Sequence, residues 1–320
     1  VSNTVEKLLL AAPRGYCAGV DRAVQTVERA LEIHGAPVYV RKEIVHNKHV
    51  VERLRERGAI FVEEQTDVPE GAVCVFSAHG VAPSVRAGAA QRDLQTIDAT
   101  CPLVTKVHRE AVRFAEDGYT IVLVGHAGHE EVEGTMGEAP AQIVLVQSEQ
   151  DVEQLEIADP ERVAYITQTT LAVDETSAIL ARLRERFPSI VGPRTDDICY
   201  ATTNRQAAVK QMASSCDLML VIGSRNSSNS VRLVEVARDC GTDAHLIDNA
   251  GEIDERWLDG RRVVGVSSGA SAPENLVAEL VEFFRARGVH EVSEFDVIRE
   301  DVRFMLPKKI RQAVATGEAS

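Results

Sequence analysis

The sequence predicts an α/β protein: three similar α/β units with parallel sheets, arranged with pseudo-threefold symmetry around a shared centre. Three observations carry this expectation. A cysteine in a turn of polar or small residues recurs three times, at Cys17 in RGYCAGVDRA, Cys101 in ATCPLVTKVH and Cys199 in ICYATTNRQ. A helical stretch follows each cysteine, with apolar residues three and four apart, such as Val20, Ala23, Val24, Val27 and Leu31, or Val104, Val107, Ala111 and Phe114. Each repeat then holds two short apolar strands that run into polar loops.

The first strand of each repeat lies in PVYVRKEIVHN (37–47), YTIVLVGHAGHEEVEG (119–134) and DLMLVIGSRNSSNS (217–230). The second lies in AVCVFSAHGV (72–81), RVAYITQTTL (162–171) and RRVVGVSSGAS (261–271). Runs such as VLV, LMLVI and VVGV are apolar without alternation, which suits parallel sheets covered by helices on both faces. In such sheets ligands sit beyond the carboxyl ends of the strands, where the six polar loops fall. Length alone suggests two domains, and the repeat takes precedence. The expected units are residues 1–98, 99–197 and 198–285. The segment 286–320, in which VSEFDVIREDVRF alternates poorly before the basic LPKKIRQ, is expected to pack back on the first unit. No low-complexity linker separates them.

Composition removes several function classes. Lys and Arg number 35 against 49 Asp and Glu, a formal net charge of −14. That charge repels nucleic-acid backbones and anionic membranes, so any anionic ligand must be held by local donors. With eight Phe, five Tyr and one Trp, stacking platforms for single-stranded nucleic acid are not expected. No apolar run reaches membrane-spanning length, and LLLAA lacks the length and basic flank of a signal peptide, so the expected location is cytoplasmic. Six cysteines without a C-x-x-C pair argue against a disulfide scaffold, a zinc ribbon or a thioredoxin-like site.

Three cysteines, one per unit and converging on one centre, suit an iron–sulfur cluster. Three thiolates on a four-iron cluster leave one iron without a protein ligand, able to bind a substrate oxygen as a Lewis acid as well as relay electrons. Zinc or a single iron on the same thiols is the alternative. Cys74, Cys216 and Cys240 lack the repeated placement and read as small hydrophobes. The strand-end loops supply His46, Asn47, His79, His126, His129, Ser227, Ser228, Asn229 and Ser271, neutral or protonatable donors that can bind a diphosphate without many lysines. His34, His49, His108, His245 and His290 lie elsewhere and read as structural or solvated. Glu130, Glu131 and Glu133 offer a general acid, and Thr169 or Thr170 a hydroxyl to orient its proton; periodicity does not choose among them.

The motifs PRGYCAGVDRAV, EIVHN, FSAHGV, DATCPLVTKVH, GHAGHEEVEGTMG, TQTTLAVDET, DICYATTNRQ, SRNSSNSVRL and GASAPE, in order from about Pro13 to Glu274, resemble the 4-hydroxy-3-methylbut-2-enyl diphosphate reductase family. The resemblance implies a 4Fe-4S cluster on Cys17, Cys101 and Cys199 with one iron not ligated by protein. It places the allylic diphosphate substrate among His46, His79, His129, Ser227, Ser228, Asn229 and Ser271. Glu131 matches the family's proton-delivering acid and Thr169 its hydroxyl neighbour. The family usually has proline where this chain has Glu130, whose carboxylate is therefore expected to face solvent, away from a diphosphate.

The implied reaction is reductive dehydroxylation to isopentenyl and dimethylallyl diphosphate, closing the methylerythritol phosphate route to isoprenoids. The implied partner is a flavodoxin or ferredoxin type electron donor. Lys308, Lys309 and Arg311 form a basic patch that either serves such a carrier or is a solvated tail. The rival readings are a non-redox iron–sulfur hydratase, a cluster-based regulatory protein and a zinc-dependent hydrolase, and diphosphate-dependent electron consumption separates them from the reductase.

Overall fold

Parallel strand pairing organises the chain into three sheets. The structure, a computed structural model, describes residues 5–316. In chain order come β1 (Lys7–Ala12), α1 (Ala18–His34), β2 (Val38–Arg41), α2 (Lys48–Glu56) and β3 (Ala59–Val62). β4 (Val73–Phe76), α3 (Pro83–Gln91), β5 (Gln95–Asp98) and α4 (Pro102–Glu116) follow. Next are β6 (Thr120–Val124), α5 (Glu130–Met136), β7 (Ile143–Val146), α6 (Glu149–Gln154), β8 (Val163–Thr167) and α7 (Val173–Arg186). Then come α8 (Tyr200–Ala213), β9 (Leu218–Ile222), α9 (Ser228–Asp239), β10 (Asp243–Ile247), β11 (Val263–Ser268), α10 (Glu274–Arg285), β12 (Glu291–Asp296) and α11 (Lys308–Thr316).

The sheets have the orders β3-β2-β4-β5, β7-β6-β8 and β10-β9-β11-β1-β12. The six strands read from the sequence are β2, β4, β6, β8, β9 and β11, and the helices after the three cysteines are α1, α4 and α8. Two pairings depart from the sequence division. β1 lies within 1–98 yet pairs with β11 in the last sheet, Leu8 opposite Val264. β12, in the poorly alternating segment after 285, pairs along β1 from Lys7–Glu291 to Ala12–Asp296. An apolar strand does not encode its partner, and here the two ends of the chain complete a sheet begun in its middle. α11 returns to the first sheet, where Lys309 Nζ donates to the Thr96 carbonyl of β5 at 2.6 Å. Residues 1–4 and 317–320 of the end segments lie outside the described residues.

By chain contacts the residues fall into two bodies. One holds residues 5–18, 46–50 and 200–303, and with them the five-stranded sheet; the other holds 19–45, 51–199 and 304–316 and the two smaller sheets. In the first body, alternation along β1 sends Leu8 and Leu10 into a core with Leu276, Leu280 and Phe284 of α10, and Leu9 and Ala11 into another with Ala208, Val209 and Met212 of α8. In the second body β6 does the same. Ile121 and Leu123 meet Val107, Ala111 and Phe114 of α4, while Val122 and Val124 meet Ile179 and Leu183 of α7. Full burial on both faces is why these strands read as unbroken apolar runs. A buried leucine or phenylalanine contributes roughly 1.5–3 kcal/mol, so the strand ends are held firmly enough to fix loop geometry. Among the described residues no helix is long and apolar enough to cross a membrane.

One charge is fully buried in the first body. Arg205 of α8, 0% exposed, donates to Glu300 Oε1 at 3.0 Å, to the Ala201 carbonyl at 3.0 Å and to the Gly15 carbonyl at 2.8 Å. Removing the carboxylate strands a guanidinium away from water. Glu300→Ala is expected to lose about 3 kcal/mol or more of unfolding free energy in denaturant titration. The pair Arg205→Met with Glu300→Leu should recover much of that loss, and a neutral Glu300→Ala would show that Arg205 finds other acceptors.

Candidate active site

The three motif cysteines are held in one way. Cys101 N–H donates to the Ala78 carbonyl at 2.9 Å, Cys199 N–H to Thr169 at 3.0 Å and Cys17 N–H to Ala270 at 3.1 Å. Each acceptor stands two residues beyond the end of a strand, after Phe76 of β4, Thr167 of β8 and Ser268 of β11. Each cysteine also directly precedes a helix, α4, α8 or α1. At Cys101 the local cause is plain: an extended N-cap is followed by Pro102, whose fixed φ and missing N–H suit the first helical position. Thiols at helix N-termini favour the thiolate, the form that binds metal. All three are half-buried. The other cysteines differ: burial pushes the Cys74 thiol up to about 11 and the Cys216 thiol up to about 12, and Cys240 is exposed. The donor set that fits a thiolate-held cluster is therefore Cys17, Cys101 and Cys199.

In the second body, α5 and the loop after β8 build a buried acid. Glu131 is 2% exposed; its carboxylate accepts from Thr169 N–H at 2.7 Å and from Thr169 Oγ1 at 2.9 Å. Burial pushes its pKa up to about 7, against the lowering influence of both Thr169 bonds and of His108. Thr170 turns elsewhere, accepting from Gln168 Nε2 at 2.9 Å. His129 caps α5, its Nδ1 accepting from Glu131 N–H at 3.1 Å, which leaves Nε2 to carry the proton of the neutral ring. The His79 and His129 rings meet edge to face at 5.9 Å.

Glu130 departs from expectation. Its side chain is only 18% exposed and its Oε2 lies 3.1 Å from His79 Nδ1. The carboxylate turns in because a protonatable imidazole receives it and because an acid in the first turn of a helix is favoured. His79 Nδ1 is also 3.3 Å from Ser77 Oγ. Gly80 beside it has φ +83°, and a Cβ there would come within 3.0 Å of the His108 ring.

In the first body, the loop after β9 and the N-terminus of α9 gather hydroxyls and amides. Ser227 caps α9 and accepts from Ser230 Oγ at 2.9 Å. Asn229 Oδ1 accepts from Ala270 N–H at 2.8 Å, and Ser271 Oγ donates to the His46 carbonyl at 2.9 Å. Asn226 Nδ2 lies 3.4 Å from His46 Nδ1. Ser228 is the first residue of α9 and is half-buried. Asn47, 1% exposed, accepts from Val50 N–H at 3.1 Å while its Nδ2 is buried without a hydrogen-bond partner. A buried donor of that kind suits a ligand oxygen.

Residue patterning passed over three contributors. Gln168, 1% exposed, accepts from His126 N–H at 3.0 Å and so shapes the α5 loop. Asp197 accepts from Thr167 N–H at 2.9 Å and from Lys106 Nζ at 2.9 Å, tying the approach to Cys199 to β8. His108, read as structural or solvated, is 6% exposed, with Nδ1 2.7 Å from Glu138 Oε1 and Nε2 buried without a hydrogen-bond partner. Its place seven residues after Cys101 was the available signal.

The profile of the LytB protein family matches residues 8–285. The chain belongs to the LytB family. A family relative from Nocardia farcinica, named 4-hydroxy-3-methylbut-2-enyl diphosphate reductase, is 60% identical over 311 residues, 97% of this chain and 93% of that protein. The structure of the E-1-hydroxy-2-methyl-but-2-enyl-4-diphosphate reductase from Plasmodium falciparum is similar with a TM-score of 0.95 at 37% identity, covering 98% of this chain and 99% of that one. A structure of (E)-4-hydroxy-3-methyl-but-2-enyl diphosphate reductase, described as the terminal enzyme of the non-mevalonate pathway, gives 0.63 at 31% identity over 88% of this chain and 100% of that one. The LytB match spans all three motif cysteines and both clusters of polar loops.

Glu131 makes stability depend on pH. Its folded-state pKa of about 7 lies above the ordinary 4.5, so between those values the folded protein binds more protons than the unfolded chain. Its contribution is full below about pH 4.5 and is lost as pH rises through about 7. Glu131→Gln removes this dependence. The variant's melting temperature is expected to gain on the parent's between about pH 5 and pH 8, and a constant difference would show that Glu131 does not titrate there.

Proposed function

We propose that this chain reduces 4-hydroxy-3-methylbut-2-enyl diphosphate to isopentenyl and dimethylallyl diphosphate, the last step of the methylerythritol phosphate route. The names of its relatives and the LytB match support the substrate and the reaction. The single structural observation that carries the chemistry is the buried Glu131 carboxyl gripped by Thr169. Loss of an allylic hydroxyl as water needs a proton, and an acid with a pKa near 7 both holds and releases one at neutral pH. Thr169, through N–H and Oγ1, keeps the carboxyl in one orientation as the proton leaves and donates hydrogen bonds to the carboxylate that remains.

Cys17, Cys101 and Cys199 would hold a 4Fe-4S cluster, which would relay two electrons from an external carrier and offer a Lewis acid to the substrate hydroxyl. The three equivalent N–H anchors support that ligand set. The three parallel sheets support a division of the chain into three α/β units, each contributing one cysteine. The diphosphate is assigned to His46, His79, His129, Ser227, Ser228, Asn229 and Ser271. On a chain with net charge −14, anion binding must come from such close donors, each charge-assisted bond contributing roughly 1.5–3 kcal/mol. Held at that end, the substrate presents its reacting carbon in one orientation, and the surrounding buried residues keep bulk water from it. A thiolate-held cluster suits the reducing cytoplasm, and the electrons are assigned to a flavodoxin or ferredoxin type carrier.

The test is anaerobic reconstitution followed by turnover with the allylic diphosphate and an artificial reductant, with iron and sulfide measured alongside. Cys101→Ser is expected to lose iron and turnover together. Glu131→Gln should retain about four irons per chain and lose roughly 10²–10⁴-fold in rate. Parent turnover should fall as pH rises past about 7, as the acid loses its proton. A fully loaded parent protein that consumes no electrons in the presence of substrate would overturn the reductase reading.

A further inference from the structure

The second body carries a positively charged groove along the backbone that leads into Cys101. A hollow of about 340 Å³ is lined by Arg22, Lys308 and Lys309 with Thr96, Thr100 and Thr105. It continues through Asp98, Thr100 and Thr105 into a hollow of about 300 Å³ bearing Arg86, Arg109 and Arg113. On its other side it continues through Thr96 and Lys309 into one of about 550 Å³ along α11. Of the three acids lining it, Asp98 pairs with Arg86 and Glu138 with His108, while Glu116 faces the second hollow only; Glu110, outside the lining, holds Arg113. Among the described residues, Arg22, Arg109, Lys308 and Lys309 make no ion pair with a carboxylate.

Such a concentration of unpaired cations is out of keeping with a chain of net charge −14. Its position gives it a use. The Arg22 guanidinium donates to the Ala99 carbonyl at 2.9 Å, to the Thr100 carbonyl at 3.0 Å and to the Met305 carbonyl at 2.8 Å, so the groove floor is the backbone leading into Cys101. At its rim Met305 is 73% exposed, a soft apolar contact of the kind used by adaptable binding surfaces. Three hollows in succession are too extended for a single small anion. They fit a protein face, and transient redox complexes are small and steered by charge.

We propose that this groove docks a small acidic one-electron carrier, a [2Fe-2S] ferredoxin, beside the Cys101 loop. The proposal rests on the reductase reading and names where its electrons enter. Two encounters each oxidise the carrier by one electron. Those two electrons, with two protons, break the C–O bond of R–OH and form a C–H bond, giving R–H and water. The net negative surface repels acidic carriers at long range, and the cationic groove overcomes this only locally, which restricts productive approach to one face.

The experiment uses the reconstituted protein with two reductants, a reduced acidic [2Fe-2S] ferredoxin and the methyl viologen radical, together with titration of oxidised ferredoxin by calorimetry at low salt. Lys308→Glu with Lys309→Glu is expected to weaken ferredoxin binding and lower ferredoxin-driven kcat/KM by at least about tenfold, and to flatten its salt dependence. Iron content and viologen-driven turnover should stay at the parent level. The milder Lys308→Gln with Lys309→Gln pair should fall between. Unchanged ferredoxin binding, or equal losses with both reductants, would overturn the docking assignment while leaving the reductase reading intact. A parent protein inert with viologen would overturn both.

Discussion

One backbone hydrogen bond, used three times, sets the geometry on which the site depends. Each motif cysteine starts a helix and donates its N–H to a carbonyl two residues past the end of a buried parallel strand. The strand is immobilised by apolar burial on both faces, and the helix start is therefore immobilised with it. The same loops also carry side chains of the proposed site: His79 follows the Ala78 acceptor, Thr169 is itself an acceptor, and Ser271 follows Ala270. A shift of any one strand end would move a thiol and a polar loop side chain together. This shared support explains why the polar motifs recur at strand ends and are not scattered over the surface.

The second constraint is the burial of a carboxyl in an already acidic molecule. Raising the pKa of Glu131 from 4.5 to about 7 corresponds to roughly 3 kcal/mol against its charged form. Two bonds from Thr169 offset part of that cost and keep the acid ionisable. Burial dominates and the bonds moderate it, which places the titration near neutrality and not near pH 9 or pH 4. Glu130, one residue earlier, meets the opposite environment: His79 is within 3.1 Å and the first turn of α5 favours negative charge. Adjacent carboxylates thus end as a buried acid held by Thr169 and as a partner for an imidazole. Charge is likewise sorted on the larger scale, since an overall −14 coexists with the cationic groove along the backbone that leads into Cys101.

Much of this was legible in the residues. Unbroken apolar runs such as LMLVI announced parallel strands, the cysteine-helix-strand repeat announced three sheets, and the spacing of Val104, Val107, Ala111 and Phe114 announced α4. The loops after these strands were legible too, because Gly, Ser, His and Asn accumulate where strands end. The residues left unread have a common cause. Gln168, Asp197, Arg205 and His108 act through partners distant in sequence, at His126, Thr167, Glu300 and Glu138, and a pattern of hydrophobicity is silent on which polar group will find which.

By itself, then, the sequence determined the local elements, the thiols and loop donors available, and through its motifs the LytB family, because periodicity, turn chemistry and motif spacing are properties of neighbouring residues. Only the tertiary structure decided that β1 and β12 complete the last sheet and that Glu130 turns toward His79. Strand partners and side-chain pairs are chosen by burial and hydrogen bonding across long separations, and those free energies exist only once the chain has folded.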